Sequence, residues 1–156
     1  MTNPTCQIGP YTVGGDTLTL LAGPCMAESL DLCRAIAETL VPAAKDAGVQ
    51  LVFKTSFDKA NRSGATSYRG PGIEEGLAIL EIIKSEFGVP VVSDIHLPEQ
   101  AAIAAEVCDV LQIPAFLCRQ TDLLLAAGET GRTINVKKGQ FMSPAEMQNV
   151  ADKVRS

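Results

Sequence analysis

The sequence has 156 residues, 46% of them apolar, and a net charge of −5. That suits one domain with a real core, and the acidic balance without a long basic run argues against nucleic acid as the main partner. No stretch reaches the roughly 18 to 20 apolar residues of a membrane span. The opening MTNPTCQIGPYTVGG has neither a basic n-region nor an apolar h-region, so no membrane contact and a cytoplasmic location are expected.

The first expected element is a short hairpin made by QIG and YTVGG around turn residues. LTLLAG (18–23) is the first of five expected strands. The segment LDLCRAIAETLVPAAKDAG follows, with Leu32, Ile36, Leu40 and Ala44 on one helical face, Gly48 as its end, and Pro42 expected to kink or shorten it. QLVFKTS (50–56) is the second strand, and GIEEGLAILEIIKSEFG repeats the helical scheme with Ile73, Leu77, Leu80 and Phe87. VPVVSDI (89–95), a helix from PEQAAIAAEV, VLQIPAF (110–116), a helix from DLLLAAGET and TINVKK (133–138) complete the alternation. A last helix opens on SPAE, with Ser143 as N-cap, Pro144 at the first helical position and Glu146 closing a capping box.

These strands are nearly continuous in apolar character, as strands covered on both faces of a parallel sheet are. Strand, helix, strand in succession means right-handed crossovers, in either a doubly wound sheet or a (β/α)8 barrel. Neither phosphate fingerprint of the doubly wound class, G-x-G-x-x-G or G-x-x-x-x-G-K-[ST], occurs. Polar residues gather instead at the C-terminal ends of the strands: Cys25, Lys54, Ser56, Asp94, His96, Gln112 and Lys137. That is where β/α barrels build their sites, so the expected fold is an α/β TIM barrel of which this chain supplies about five β/α units after the hairpin.

Five cysteines at irregular spacings, without a C-x-x-C pair, read mainly as small buried apolar residues in a reducing compartment. His96 is the sole histidine, so a Ser-His or Cys-His hydrolase would have to use it. Each polar strand end alone has an ordinary explanation, because strands become polar where they leave a core. Together, Lys54, Lys59, Arg62, Arg69, Arg119, Lys137 and Lys138 would converge on one barrel mouth, which is unfavourable unless an anion fills it. Guanidinium and ammonium groups side by side suit one or two small, multiply anionic ligands.

GPCMAES, FKTSFDKANRS, SYRGPG, SDIHLPEQ, LQIPAFLCRQTDL and INVKKGQFMSP together resemble the 3-deoxy-D-manno-octulosonate 8-phosphate synthases, from about Leu18 to the last residue. KANRS followed by SYRGPG marks that family, whereas the sister enzymes of the shikimate pathway carry a KPRT-type sequence. The resemblance implies a (β/α)8 barrel, usually tetrameric, that joins phosphoenolpyruvate to arabinose 5-phosphate and releases phosphate, for lipopolysaccharide biosynthesis. It implies a phosphoenolpyruvate site of Lys54, Ser56, Gln112, Arg119 and Lys137, and a sugar phosphate site of Lys59, Asn61, Arg62, Ser63, Asp94 and Phe116. Arg62 and Ser63 would serve a neighbouring subunit, and His96 would be either a proton shuttle or a hydrogen-bonded rim residue. Cys25 in GPC implies the class that uses a divalent metal, Zn, Mn, Fe or Co.

The resemblance also implies about eight strands, whereas five are found here; an arginine, a histidine, a glutamate and an aspartate of the family's site would lie further on. The expectation is therefore part of a longer chain, or copies joined through exposed edges, with little turnover from the 156 residues alone. The other readings are a different phosphoenolpyruvate-condensing synthase of the heptulosonate type, and a partial barrel that binds anions or a partner without catalysis.

Overall fold

A computed structural model describes residues 4–156; the first three residues, where the reading of the N-terminal segment as no secretory leader begins, lie outside the described residues. Cys6–Ile8 (β1) and Tyr11–Val13 (β2) pair antiparallel as the expected hairpin. Thr19–Ala22 (β3), Gln50–Lys54 (β4), Val91–Asp94 (β5), Val110–Ile113 (β6) and Thr133–Val136 (β7) form one parallel sheet in that order. Leu30–Asp46 (α1), Ile73–Phe87 (α2), Glu99–Val107 (α3), Thr121–Glu129 (α4) and Met147–Arg155 (α5) follow the strands in turn. A strand order that never reverses belongs to a barrel; a doubly wound sheet changes direction at a switch point. The fold is a partial TIM barrel.

Alternation along the strands separates two cores. On the outer face Phe53, Val91, Leu111 and Ile113 pack under the helices with Leu80, Ile83, Ala104 and Leu124. On the inner face Val52, Val92 and Val110 form one layer, closed from below by Ile8 of the hairpin, with Tyr11, Val13 and Leu21 around it. Thr133 Oγ1 donates to the Gln7 carbonyl at 2.6 Å, which ties the hairpin to β7. One layer higher, the same inner face turns polar.

The helices begin and end with minor differences from the sequence reading. Ser29 caps α1, its Oγ accepting from Leu32 N at 3.2 Å, and the helix runs through Pro42 to Asp46 rather than stopping there. Its buried side chains are Cys33, Ala37 and Ala44; Leu32, expected on the core face, is 38% exposed. Ile36 and Leu40 line an apolar groove beside β3, which lies at the sheet edge. The capping box at Ser143 and Glu146 forms, with bonds of 2.8 and 3.3 Å, but regular helix starts only at Met147. β6 ends at Ile113 because Pro114 has no N–H for the ladder, and a 3-10 turn over Ala115–Leu117 follows.

Candidate functional site

Parallel register builds the site. Lys54 stands opposite Val92, Asp94 opposite Gln112, and Gln112 opposite Asn135, all on the inner face. Lys54, Asp94, Gln112 and Asn135 form the polar layer above Val52, Val92 and Val110. Gly23 lets the turn after β3 press onto β4, because a side chain there would run into the Lys54 carbonyl oxygen. The next segment then lies along Ser56, with Ala27 N donating to its carbonyl at 3.0 Å.

Asp94, 5% exposed, is the hub. Its Oδ1 accepts from Gln112 Nε2, and its Oδ2 accepts from Ser56 Oγ and from Lys54 Nζ at 3.3 Å, with Lys59 Nζ at 3.6 Å. Both ammonium groups also reach Ser56 Oγ, Lys54 at 2.7 Å and Lys59 at 2.8 Å. Burial pushes the Asp94 carboxyl up, but Lys54, Ser56, Gln112 and Lys59 outweigh it and hold it below the usual aspartate range. Burial makes Lys54 easier to deprotonate than a free lysine, and Asp94 opposes that shift. The ring of His96 meets Phe57 edge-on at 6.2 Å, its Nδ1 is buried without a partner among the described residues, and burial lowers its pKa against the pull of Asp58 and Asp94.

A cavity of about 400 Å³ opens over this layer, lined by Lys54, Lys59, Asn61, Asp94, His96, Gln112 and Lys137, with Pro114, Ala115, Lys138 and Gln140 at its wall. Four ammonium groups and one carboxylate face it. Lys138 is partly spoken for, donating to the Gly139 and Met142 carbonyls at 2.9 Å each. A larger hollow of about 690 Å³ lies between α3 and α4, floored by Ala101, Ala102, Ala105 and Ala126; its charged lining, Glu106, Glu129 and Arg132, is mixed in sign and has no ammonium group. The clustered ammonium groups are at the smaller one.

The loop between β4 and α2 carries the remaining cations. Asp58 and Arg69 form a two-pronged ion pair across its base, and Lys59 N donates to the Arg69 carbonyl at 2.7 Å. Asp58 is thus consumed by Arg69, and Lys54 and Lys59 turn to Asp94 instead. Burial raises the Asp58 carboxyl, and Arg69 more than reverses this.

Not every expected residue joins the cavity. Arg62 folds back on its own loop, Nε donating to the Tyr68 carbonyl at 3.2 Å, and Ser63 is exposed beside it. Phe116 is 63% exposed. Arg119 was expected beside Lys54 and Lys137; it lines a separate depression with Glu146, Asn149, Asp152 and Lys153, because the 3-10 turn carries the chain off the rim before it. Cys25 is exposed, and among the described residues no three His, Cys, Asp or Glu side chains stand close enough to hold one cation. The residues described do not by themselves fit a metal ion. Asn135, which donates from Nδ2 to Gln112 Oε1 at 2.9 Å, was missed. Its signal was alternation: it precedes Lys137 by two on the same strand face.

A curled parallel sheet whose C-terminal rim gathers part-buried lysines around one buried carboxylate is a segment of a β/α-barrel protein. The chain belongs to the DAHP synthetase I family, whose sequence model matches residues 5–156. A Synechococcus sp. protein named 2-dehydro-3-deoxyphosphooctonate aldolase is 58% identical over 146 residues, 93% of this chain and 51% of that protein. Proteins of the same name from Citrifermentans bemidjiense and Desulfatibacillum aliphaticivorans are 57% and 56% identical, covering 92% and 100% of this chain and 52% and 58% of theirs. The chain spans about half the length of the curated relatives it matches.

Proposed function

We propose that this chain supplies the substrate-binding floor of an enzyme that condenses phosphoenolpyruvate with arabinose 5-phosphate, giving 3-deoxy-D-manno-octulosonate 8-phosphate and phosphate. The observation that carries the reading is the cavity lined by Lys54, Lys59 and Lys137, in which the first two share a single buried carboxylate. Such a charge balance favours an anion with more than one negative group. The shared name of the relatives, 2-dehydro-3-deoxyphosphooctonate aldolase, supports the choice of product.

In this reading Lys54 and Lys137 hold phosphoenolpyruvate, with Ser56 and Gln112 fixing its orientation. Lys59 and Asn61 lie on the side where the sugar enters, and Arg62 and Ser63 serve the sugar phosphate of a neighbouring subunit in a homotetramer. C3 of phosphoenolpyruvate bonds to the sugar aldehyde carbon, whose oxygen takes a proton; water adds at C2, and the C2–O bond to phosphate breaks. The neutral ring of His96, lining the same cavity, is placed to pass a proton at the aldehyde oxygen or the water. Cys25 would contribute to a divalent metal site only with ligands beyond those described, so no step is assigned to a metal. A cytoplasmic setting fits the expected thiol state, and no described helix is long and apolar enough to cross a membrane.

The test has two arms. Calorimetry with the 156-residue chain should show uptake of phosphoenolpyruvate, and Lys54→Met should weaken it at least about tenfold, the worth of one charge-assisted contact. A longer chain should release phosphate with arabinose 5-phosphate and not with erythrose 4-phosphate. Equal phosphate release with the four-carbon sugar would move the assignment to the heptulosonate type. Uptake without release in any form would leave a binding module.

A further inference from the structure

Three linked facts concern the amide of Gln112. It is buried, 6% exposed, so it exchanges few hydrogen bonds with water. Its Nε2 donates to Asp94 Oδ1, and its Oε1 accepts from Asn135 Nδ2 at 2.9 Å. An amide side chain has nearly the same shape either way round, and only its partners distinguish the oxygen from the nitrogen. An ionised Asp94 only accepts, which demands the NH2 end. A donor on the far side is needed to hold that choice, because a buried carbonyl without one carries a penalty.

Asn135 is the donor on that side. It sits opposite Gln112 in the β6–β7 register and is half-buried, so its own amide can meet water while its Nδ2 stays on Gln112. We propose that Asn135 is a positioning residue: it fixes which end of the Gln112 amide faces Asp94, and so keeps Oδ1 occupied while Oδ2 gathers Ser56, Lys54 and Lys59. The line Asn135, Gln112, Asp94, Ser56 thus crosses the inner face from the sheet edge to the lysines, with every link a hydrogen bond. Its consequence for turnover rests on the proposed function; its geometry does not.

The groups charged or titrating around Asp94 are Lys54 and Lys59 on one side, with His96, Lys137 and Lys138 lining the same cavity. None changes when Asn135 is replaced, which lets a single neutral substitution isolate the amide. Asn135→Leu is close to isosteric and removes the donor without adding charge; Asn135→Ala does so with less bulk. Carbon-13 NMR of the Asp94 carboxyl and solvent exchange of the Gln112 side-chain NH2 are read in the parent and in both variants, with circular dichroism to check the fold.

In a folded variant, the Gln112 NH2 should exchange about tenfold faster, the change expected for one lost net hydrogen bond. The Asp94 titration midpoint should rise toward the ordinary aspartate range. A purely structural Asn135 would alter stability and leave both signals at the parent values, and that result overturns the proposal. If Asn135→Leu does not fold, Asn135→Ala decides by the same two signals. Phosphoenolpyruvate titrated into the parent separates the two readings: no uptake counts against the proposed function alone, while the NMR signals still decide Asn135.

Discussion

Asp94 holds two lysines with one carboxylate oxygen, and that concentration sets what its replacement would do. Asp94→Asn leaves Lys54 and Lys59 facing each other with no counter-charge in a buried site. The expected loss is about 3 kcal/mol at neutral pH, read by urea unfolding. The pH dependence has a definite sign. Because the folded carboxyl titrates below its ordinary 3.8, its contribution is complete above that value and is lost as pH falls through the folded pKa. In Asp94→Asn that acid-range slope should shrink. His96 offers a second reading at this scale, since one histidine gives one set of imidazole signals. Burial holds its folded pKa below 6.5, so the fold favours the neutral ring. Stability should therefore decline as pH drops from about 6.5 through the folded value, and proton NMR should place the midpoint below 6.5. A midpoint above it would mean that Asp58 and Asp94 outweigh burial.

Elements were the easiest part to read from sequence, for a physical reason. Strands buried on both faces need unbroken apolar runs, and all five such runs became strands in the expected order. The face of α1 was less legible, because which side is covered depends on a neighbour: at the edge position of β3, Leu32 finds no partner surface and stays exposed. Nearness in sequence to β6 does not reveal that Pro114 and the 3-10 turn redirect the chain before Arg119, which lines a depression apart from the lysine cavity. Asn135 carries no mark of its partner in the sequence, because pairing register is what brings it to Gln112. Packing between elements supplies its own test. Gly128 of α4 lies against the Val154 carbonyl oxygen of α5, where a methyl group has no room. Gly128→Ala should cost about 1–3 kcal/mol through displacement of α5, outweighing the gain in helix propensity; an unchanged or raised melting temperature would show that the two helices slide apart freely.

For the molecule as a whole, the two sheet edges dominate. β3 and β7 each have one paired side, and each carries an apolar groove on its outer face. One is lined by Ala22, Ile36 and Leu40, the other by Ile134, Val136, Met147, Val150 and Val154. Unpaired strand backbone beside apolar surface favours association. The 156-residue polypeptide on its own should sediment as more than one copy, and Val136→Lys, which puts charge on the outer face of β7, should shift it toward monomer. Light scattering showing only monomer for the parent would mean that the edges are adequately shielded by their own side chains.

The stacking of the inner face has a consequence for how such a chain can diverge. The valines and Ile8 keep the lower storey dry and hold the strands together, while recognition is confined to the storey above. Changes among the upper side chains can retune selectivity with little disturbance to the lower scaffold. A lineage built this way can alter what it grips and still keep the sheet packed at its base.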